Sequence, residues 1–90
     1  MKTIRITVSG KVQGVFFRAS TIEAANQLGL KGHAKNLPNG DVEVVAQGSE
    51  DKLEKLIKFC IKGPPRAEVS KVNVEEIIAK EEFKGFGVKY

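Results

Sequence analysis

The sequence predicts an α+β fold in which an antiparallel sheet carries two helices packed on one face. Several short segments alternate apolar and polar residues, as half-buried strands do, and two longer segments repeat their apolar residues at helical spacing. These segments follow one another in the order β-α-β-β-α-β. Each predicted helix has a single apolar stripe, so we expect one face of the sheet to be covered and the other to contact solvent.

The first predicted strand and helix occupy the N-terminal third of the chain. Residues 3–9 alternate Ile and Val with Arg, Thr and Ser, which is the period of a half-buried strand. Residues 17–28 place their apolar residues on one helical stripe, and Gly29 is a natural helix stop. A capping-box pair at Ser20 would start this helix later, but the stripe includes Phe17, so we predict the earlier start.

A hairpin and a second helix follow. Residues 32–37 and 41–47 have the pattern of strands and flank Asn39-Gly40, a dipeptide typical of hairpin turns. Residues 50–61 carry an apolar helical stripe, and Ser49 is a residue type that caps helix N-termini.

Two predicted strands complete the chain. Residues 68–77 form the first, with a bulge because Val69 is out of phase with Val72 and Val74. Residues 84–90 alternate apolar residues with Gly and Lys and form the last. The order βαββαβ, with a short fifth strand or a split at its end, is typical of the ferredoxin-like sandwich.

Composition limits the chain to one core. The 90 residues, of which 41% are hydrophobic, predict a single domain over residues 1–90. The single Cys60 excludes an internal disulfide, and with it a disulfide-stabilised secreted scaffold. The N-terminal segment lacks the apolar run of a signal peptide, and no apolar run approaches membrane length. We therefore expect a cytoplasmic protein without membrane contact, and we also expect a monomer.

The net charge of +4 is unevenly distributed. Residues 1–40 carry six basic residues and one acidic residue, whereas residues 41–90 carry nine basic and ten acidic residues. The positive excess thus lies in the first half of the chain. It favours an anionic ligand there, although nucleic acid would satisfy the same charge.

Residues 10–18, between the first strand and the first helix, are the strongest candidate for a functional site. They contain two glycines and an arginine. Glycine permits tight turns close to a ligand, a helix start supplies unpaired amides, and arginine supplies a planar set of donors for phosphate or carboxylate. The segment lacks the glycine spacing and the Gly-Lys-Ser/Thr ending of a Walker A loop. It therefore predicts a pocket for a small anion rather than a standard nucleotide site.

Two motifs resemble the signatures of the acylphosphatase family. The first is Val8-Ser9-Gly10-Lys11-Val12-Gln13-Gly14-Val15-Phe16-Phe17-Arg18, which resembles Gly-x-Val-Gln-Gly-Val-x-Phe-Arg. The second is Gly32-His33-Ala34-Lys35-Asn36, followed by Gly40-Asp41-Val42 and Gly48, which resembles the signature that begins Gly-aromatic-x-x-Asn. The resemblance covers nearly the whole chain, including Gly63-Pro64-Pro65. It departs at His33, where the family usually has an aromatic residue.

The resemblance implies hydrolysis of the carboxyl–phosphate bond of small acyl phosphates to a carboxylate and inorganic phosphate. It implies that Arg18 binds the phosphoryl group and that Asn36 positions the attacking water. Thr21 follows the loop and could support the site by bonding to the loop backbone or to Asn36, and it fits equally well as an ordinary helix residue. The backbone N–H groups that would wrap the same oxygens are those of Gln13, Gly14, Val15, Phe16, Phe17 and Arg18. We expect inorganic phosphate, the product, to be a competitive inhibitor.

This chemistry requires no metal or cofactor. The leaving carboxylate has a pKa of about 4, so strong general-acid assistance is unnecessary. Backbone amides and one guanidinium can stabilise the charge of the transition state. The carboxamide of Asn36 can orient a water but is not a strong base, so we expect the substrate phosphate to accept the proton. With His33 as the only histidine, neither a His-based metal cluster nor a catalytic triad can be assembled.

Two alternatives remain open. The RNA-recognition motif has the same element order, and residues 84–90 resemble its Lys-Gly-Phe-Gly-Phe-Val-x-Phe segment. However, one aromatic is missing, the segment lies on the wrong strand, and residues 41–45 contain no aromatic, so we expect no nucleic-acid partner. The other alternative is an accessory acylphosphatase-like domain of a carbamoyl-transfer system.

Overall fold

The computed structural model describes residues 2–79 and 82–89. Its elements in chain order are β1 (Lys2–Lys11), α1 (Phe17–Gln27), β2 (Lys31–Asn36), β3 (Val42–Gly48), α2 (Glu50–Lys62), β4 (Glu68–Glu76) and β5 (Phe86–Lys89). The predicted fold class and element order are confirmed, and every element bound lies within about two residues of the predicted one. Tyr90, the last residue of the predicted final strand, lies outside the described residues.

The strands form one five-stranded sheet in the order β4-β1-β3-β2-β5. β1 pairs antiparallel with β3 and β4, and β2 pairs antiparallel with β3, which is the ferredoxin-like arrangement. β5 is the short fifth strand, and it pairs in parallel with β2. β4 and β5 lie at opposite edges of the sheet.

The helices cover one face of the sheet, as predicted. The side chains of β1 and β3 that face the helices are buried: Ile4, Ile6, Val8, Val42, Val44 and Ala46. The helices bury Phe17, Thr21 and Ala25 from α1, and Leu53, Leu56 and Cys60 from α2. The opposite face is polar; Arg5 Nη2 lies 2.7 Å from a carboxylate oxygen of Glu75 across β1 and β4.

A β-bulge lies where β1 leads into the candidate site. Ser9 pairs with Lys71 and Gly10 pairs with Val69, so Ser70 is an extra residue in β4. This confirms the bulge predicted from the phase of the valines. A Cβ at Gly10, where φ is 122°, would collide with the backbone of β4, so a side chain there is excluded. The bulge therefore brings the start of β4 against the end of β1.

Candidate active site

The turn between β1 and α1 contains two residues with left-handed backbone. Gly14 has φ 74° and Phe16 has φ 64°. Val12 and Val15 are buried and anchor the turn to the core. Left-handed residues in turns are typical of backbone concavities that bind anions. A non-glycine residue in this region costs roughly 1–3 kcal/mol, and such residues cluster at functional sites. We call residues 12–18 the anion loop.

The N-terminus of α1 opens into the anion loop without a side-chain cap. Phe16 is its N-cap residue and makes no capping hydrogen bond, and the first turn of α1 contains no acidic residue. In α2, Ser49 occupies the N-cap position as predicted, also without a side-chain hydrogen bond, but Glu50 and Asp51 lie in the first turn. Because unpaired amides and the helix dipole favour an anion, the acid-free start of α1 is the better suited of the two to an anionic ligand.

One cavity brings together the two residues predicted to be catalytic. It has a volume of about 250 Å³ and is lined by Val12, Gly14, Phe16, Phe17, Arg18, Ala19 and Asn36. Arg18 comes from the first turn of α1, and Asn36 is the last residue of β2. Of the six residues predicted to bind phosphate through their backbone, four line this cavity, whereas Gln13 and Val15 do not.

Asn36 has a buried acceptor without a partner. Its Oδ1 atom accepts no hydrogen bond within the described part of the chain. Its backbone is fixed by pairing with Val42 of β3 at the end of the sheet. A buried acceptor left unpaired costs about 1–3 kcal/mol. A bound molecule that donates a hydrogen bond to Asn36 would remove this cost.

Gln13 joins the anion loop to the hairpin that follows Asn36. Its Nε2 atom donates hydrogen bonds to the carbonyl oxygens of Leu37 and Asp41, each at 2.8 Å. The hairpin is closed by a hydrogen bond from the backbone N–H of Leu37 to the carbonyl oxygen of Asp41 at 2.8 Å. Gln13 thereby links the two sides of the cavity through its side chain, a role that the sequence analysis missed.

The sequence contained one indication that the Gln13 side chain links two segments, but it did not identify the partner segment. Gln13 is a polar residue between buried Val12 and Val15, in a loop whose backbone was expected to bind the ligand. A carboxamide has two N–H donors and suits two backbone acceptors. Its acceptors lie 24 and 28 residues away, however, and only the folded chain shows which carbonyls they are.

Thr21, the predicted supporting residue, lies in the core and does not line the cavity. It is fully buried, and its hydroxyl has no well-aligned hydrogen-bond partner among the described residues, so it makes no hydrogen bond with Asn36. The hydroxyl is nevertheless near the Cys60 thiol. Burial raises the pKa of Cys60 to about 12, and the contact with Thr21 opposes that rise. The Cys60 thiol therefore stays neutral and unreactive near pH 7.

His33 belongs to the polar face of the sheet. Its Nε2 atom lies 3.9 Å from a carboxylate oxygen of Glu43, and its ring packs edge-on against Phe83 at a centroid distance of 5.8 Å. The residue that departs from the family pattern therefore packs against other side chains of this face.

Neither a metal cluster nor a membrane span is found in the part of the chain that the structure describes. Over residues 2–79 and 82–89, no three or more His, Cys, Asp or Glu side chains are grouped so that they could hold a metal ion. None of the described helices is long and apolar enough to cross a membrane.

Phe86 is not displayed on the polar face of the sheet. It pairs with Gly32 and belongs to the core cluster, with 8% of its surface exposed. An RNA-recognition motif needs aromatic rings exposed on the sheet, where bases can stack on them. Its burial removes the main observation in favour of the RNA-binding alternative.

Comparison with known proteins identifies the family. Residues 4–88 match the family model described as Acylphosphatase. A protein of Aeropyrum pernix named Acylphosphatase is 51% identical over 87 residues, which is 96% of this chain and 86% of that protein. The structure of an acylphosphatase from Coxiella burnetii is 50% identical, with a TM-score of 0.92 over 98% of this chain and 92% of that chain.

The same fold also occurs within a larger protein. Full-length HypF, in its phosphate- and nucleotide-bound form, is 28% identical with a TM-score of 0.91, over 99% of this chain but 12% of that chain. The identity and the mutual coverage are both higher with the Coxiella burnetii structure. The chain belongs to the acylphosphatase family.

Proposed function

We propose that this chain hydrolyses small acyl phosphates, with the phosphoryl group bound by Arg18 and the anion loop and with the attacking water oriented by Asn36. The activity follows from family membership. The assignment of roles to residues rests on the cavity that Arg18, Asn36 and the anion loop share.

Phosphoryl binding uses three sources of positive potential on one side of the cavity. They are the guanidinium of Arg18, the left-handed turn at Gly14 and Phe16, and the acid-free N-terminus of α1. In phosphoryl transfer, charge is spread over the equatorial oxygens, and the enzyme acts mainly by positioning and electrostatic stabilisation. Donors fixed in advance by the backbone supply that stabilisation without reorganising during the reaction.

Asn36 orients the nucleophile. Its unpaired Oδ1 can accept one hydrogen bond from a water and so direct the water oxygen at phosphorus. As the new P–O bond forms, the bond between phosphorus and the acyl oxygen breaks, and its electron pair leaves with the carboxylate. None of the residues that line the cavity has a carboxylate or imidazole side chain. The water proton therefore passes to a phosphate oxygen of the substrate.

The single observation that carries the assignment is the pairing of an unsatisfied carboxamide with an anion site in one cavity. An anion site alone would suit sulfate or phosphate binding. When a hydrogen-bond acceptor that can hold a water lies beside the anion site, the arrangement suits hydrolysis of a phosphoryl group bound there.

The direct test compares benzoyl phosphate hydrolysis by the wild type, Arg18→Ala and Asn36→Ala. Arg18→Ala should lose about 3–5 kcal/mol of transition-state stabilisation and its affinity for phosphate. Asn36→Ala should lose about 10²-fold in kcat and keep phosphate inhibition. Arg5→Ala on β1 and Asn73→Ala on β4 remove the same residue types at positions that do not line the cavity, and both variants should retain activity.

Two outcomes would contradict the proposal. Unchanged turnover in Asn36→Ala would remove Asn36 from the mechanism. A folded wild type that binds phosphate without hydrolysing benzoyl phosphate would favour the accessory-domain alternative.

We further propose that the protein acts as a cytoplasmic monomer that does not bind nucleic acid. A free, buried Cys60 suits a reducing compartment, and burial of Phe86 leaves no stacking platform at that position. Light scattering at micromolar concentration tests the monomer. Titration with single-stranded RNA tests the absence of nucleic-acid binding, and measurable affinity at physiological salt would contradict it.

A further inference from the structure

A second depression adjoins the active-site cavity. It has a volume of about 270 Å³ and is lined by Val15, Phe16, Ser20, Pro64, Pro65 and Arg66. Phe16 lines both this depression and the cavity that contains Arg18 and Asn36. The two spaces are therefore neighbours divided by one aromatic side chain. We call the second depression the side groove.

The backbone around the side groove is held rigidly on both sides. Phe16 is fixed in the left-handed region, and 71% of its surface is exposed, which is unusual for a phenylalanine. On the other side, the N–H of Ala67 donates to the carbonyl oxygen of Pro64 at 3.0 Å, closing a turn with Pro65 and Arg66 at its centre. Proline is favoured at the second position of such a turn because its φ is fixed in advance.

Arg66 gives the side groove a positive charge at one end. Its side chain is exposed, and within the described part of the chain it makes no ion pair. The other lining residues are apolar at Val15, Phe16 and the two prolines, and Ser20 adds one neutral hydroxyl. An apolar channel with a single cation suits a short carbon chain that ends in an anionic group.

The strand order places Arg66 of the side groove and Asn36 on opposite sides of β1. Asn36 ends β2, which is separated from β1 by β3 on one side of the sheet. Arg66 lies two residues before the start of β4, which adjoins β1 on the other side, and Glu68 of β4 pairs with Lys11, the last residue of β1 before the anion loop. In-line displacement places the attacking and leaving oxygens on opposite sides of phosphorus. With a water held by Asn36, an acyl group leaving in line would point toward the side of β1 on which Arg66 lies.

We propose that the side groove binds the acyl part of the substrate and that Arg66 makes the enzyme prefer acyl phosphates whose acyl chain ends in a second anionic group. This inference rests on the proposed function, because the phosphoryl group must occupy the cavity of Arg18 and Asn36. It assigns substrate selection to a residue outside both family motifs.

The test uses two phosphonates that differ only at the far end, butylphosphonate and 4-phosphonobutyrate, as competitive inhibitors of benzoyl phosphate hydrolysis. The wild type should bind 4-phosphonobutyrate about fivefold more tightly than butylphosphonate, as expected for an exposed charge pair. Arg66→Gln should abolish this ratio, and Arg66→Glu should reverse it. Lys58→Gln, an equal change of charge at an exposed position of α2 away from the groove, should keep the wild-type ratio.

A second comparison uses substrates rather than inhibitors. The ratio of kcat/KM for succinyl phosphate to that for benzoyl phosphate should fall about fivefold in Arg66→Gln, mainly through KM. Equal losses for both substrates, or an unchanged ratio in both assays, would overturn the role of Arg66.

If the proposed function is wrong, the assays give a result that differs from the one expected when only the role of Arg66 is wrong. A wild type that hydrolyses neither substrate contradicts the enzyme assignment itself. The two phosphonates can then be compared directly by titration calorimetry on the wild type and Arg66→Gln. An Arg66-dependent preference would keep the binding inference, and equal affinities would overturn it.

Discussion

The Nε2 atom of Gln13 lies 2.8 Å from the carbonyl oxygen of Leu37, the residue that directly follows Asn36. A second hydrogen bond, also 2.8 Å long, joins the same nitrogen to the carbonyl oxygen of Asp41. Gln13 lies in the anion loop, and the hairpin that it contacts directly follows Asn36, the residue that we propose orients the water. The two halves of the site are therefore connected by one side chain, which makes Gln13 a positioning residue rather than a catalytic one.

Gln13→Ala should lower kcat more than it raises KM for benzoyl phosphate. The anion loop keeps its own backbone geometry, so phosphate binding should survive, whereas Asn36 loses the link that fixes its distance from the bound phosphoryl group. We expect a loss of about 10-fold to 10²-fold in kcat, because small misplacements of a positioning group have effects of this size. Steady-state kinetics with phosphate as competitive inhibitor measure both quantities.

The controls for Gln13→Ala distinguish misplacement of Asn36 from a general loss of folding stability. Two lost hydrogen bonds should also reduce the free energy of unfolding by about 1–3 kcal/mol. Gln27→Ala, at an exposed position near the end of α1, should change neither kcat nor stability measurably. If Gln13→Ala raised KM and left kcat unchanged, the link to Asn36 would have no catalytic consequence.

Phe16 and Phe17 are adjacent in sequence, but truncation should reduce the free energy of unfolding much more at Phe17 than at Phe16. Phe17 is 1% exposed and belongs to the core, whereas Phe16 is 71% exposed. Phe17→Ala should therefore cost about 3–5 kcal/mol in the free energy of unfolding. Phe16 buries little apolar surface, so Phe16→Ala should change the free energy of unfolding by less than about 1 kcal/mol. Urea unfolding of both variants measures the difference, and equal losses would show that Phe16 packs as a core residue.

The contrast between these residues shows what the sequence could predict. The helical stripe correctly assigned Phe17 to the core, because periodicity reports which side of an element is apolar. It could not give the left-handed backbone of Phe16, which depends on the whole turn and is rare for an aromatic residue. Similarly, the resemblance of two motifs to the family signatures predicted that Arg18 and Asn36 belong to one site. The hydrogen bonds of Gln13 and the proximity of Arg66 to that site depend on tertiary contacts between distant segments.

The pairing of the last strand was likewise not predictable from the sequence. The alternation of residues 84–90 predicted a strand, but not its partner or direction. Pairing of β5 with β2 is a tertiary contact between segments that are far apart in the sequence. By contrast, the bulge in β4 was predictable because a single extra residue changes the phase of the apolar positions, which is visible in the sequence itself.

Substitution at Gly10 should be more damaging to the fold than substitution at Gly14. Both have positive φ, but a Cβ at Gly10 would collide with the backbone of β4, whereas a Cβ at Gly14 would meet no atom within 4 Å. Gly14→Ala should cost about 1 kcal/mol from backbone strain alone. Gly10→Ala adds a steric conflict that β4 can relieve only by moving, so its loss should exceed this by at least about 1 kcal/mol. Thermal unfolding ranks the two variants, and the reverse order would contradict the close approach of β1 and β4.

The Cys60 thiol should make the protein less stable at alkaline pH. Burial raises its pKa from 9.0 to about 12 in the folded chain, so between these values the unfolded chain loses a proton that the folded chain retains. The unfolded state then binds fewer protons, and the free energy of unfolding falls as pH rises. From pH 8 to pH 10, this group alone should remove about 1.4 kcal/mol.

Cys60→Ala isolates this contribution from that of other groups that titrate in the same range. The variant should be less stable than the wild type at pH 8, because it leaves a small cavity at a fully buried position. At pH 10, the difference in the free energy of unfolding between the wild type and the variant should be smaller by about 1.4 kcal/mol, since alanine has no proton to lose. Urea unfolding of both chains at the two pH values measures the change. A constant difference would mean that the Cys60 thiol ionises as easily in the folded chain as in the unfolded one, contrary to its burial between α2 and the sheet.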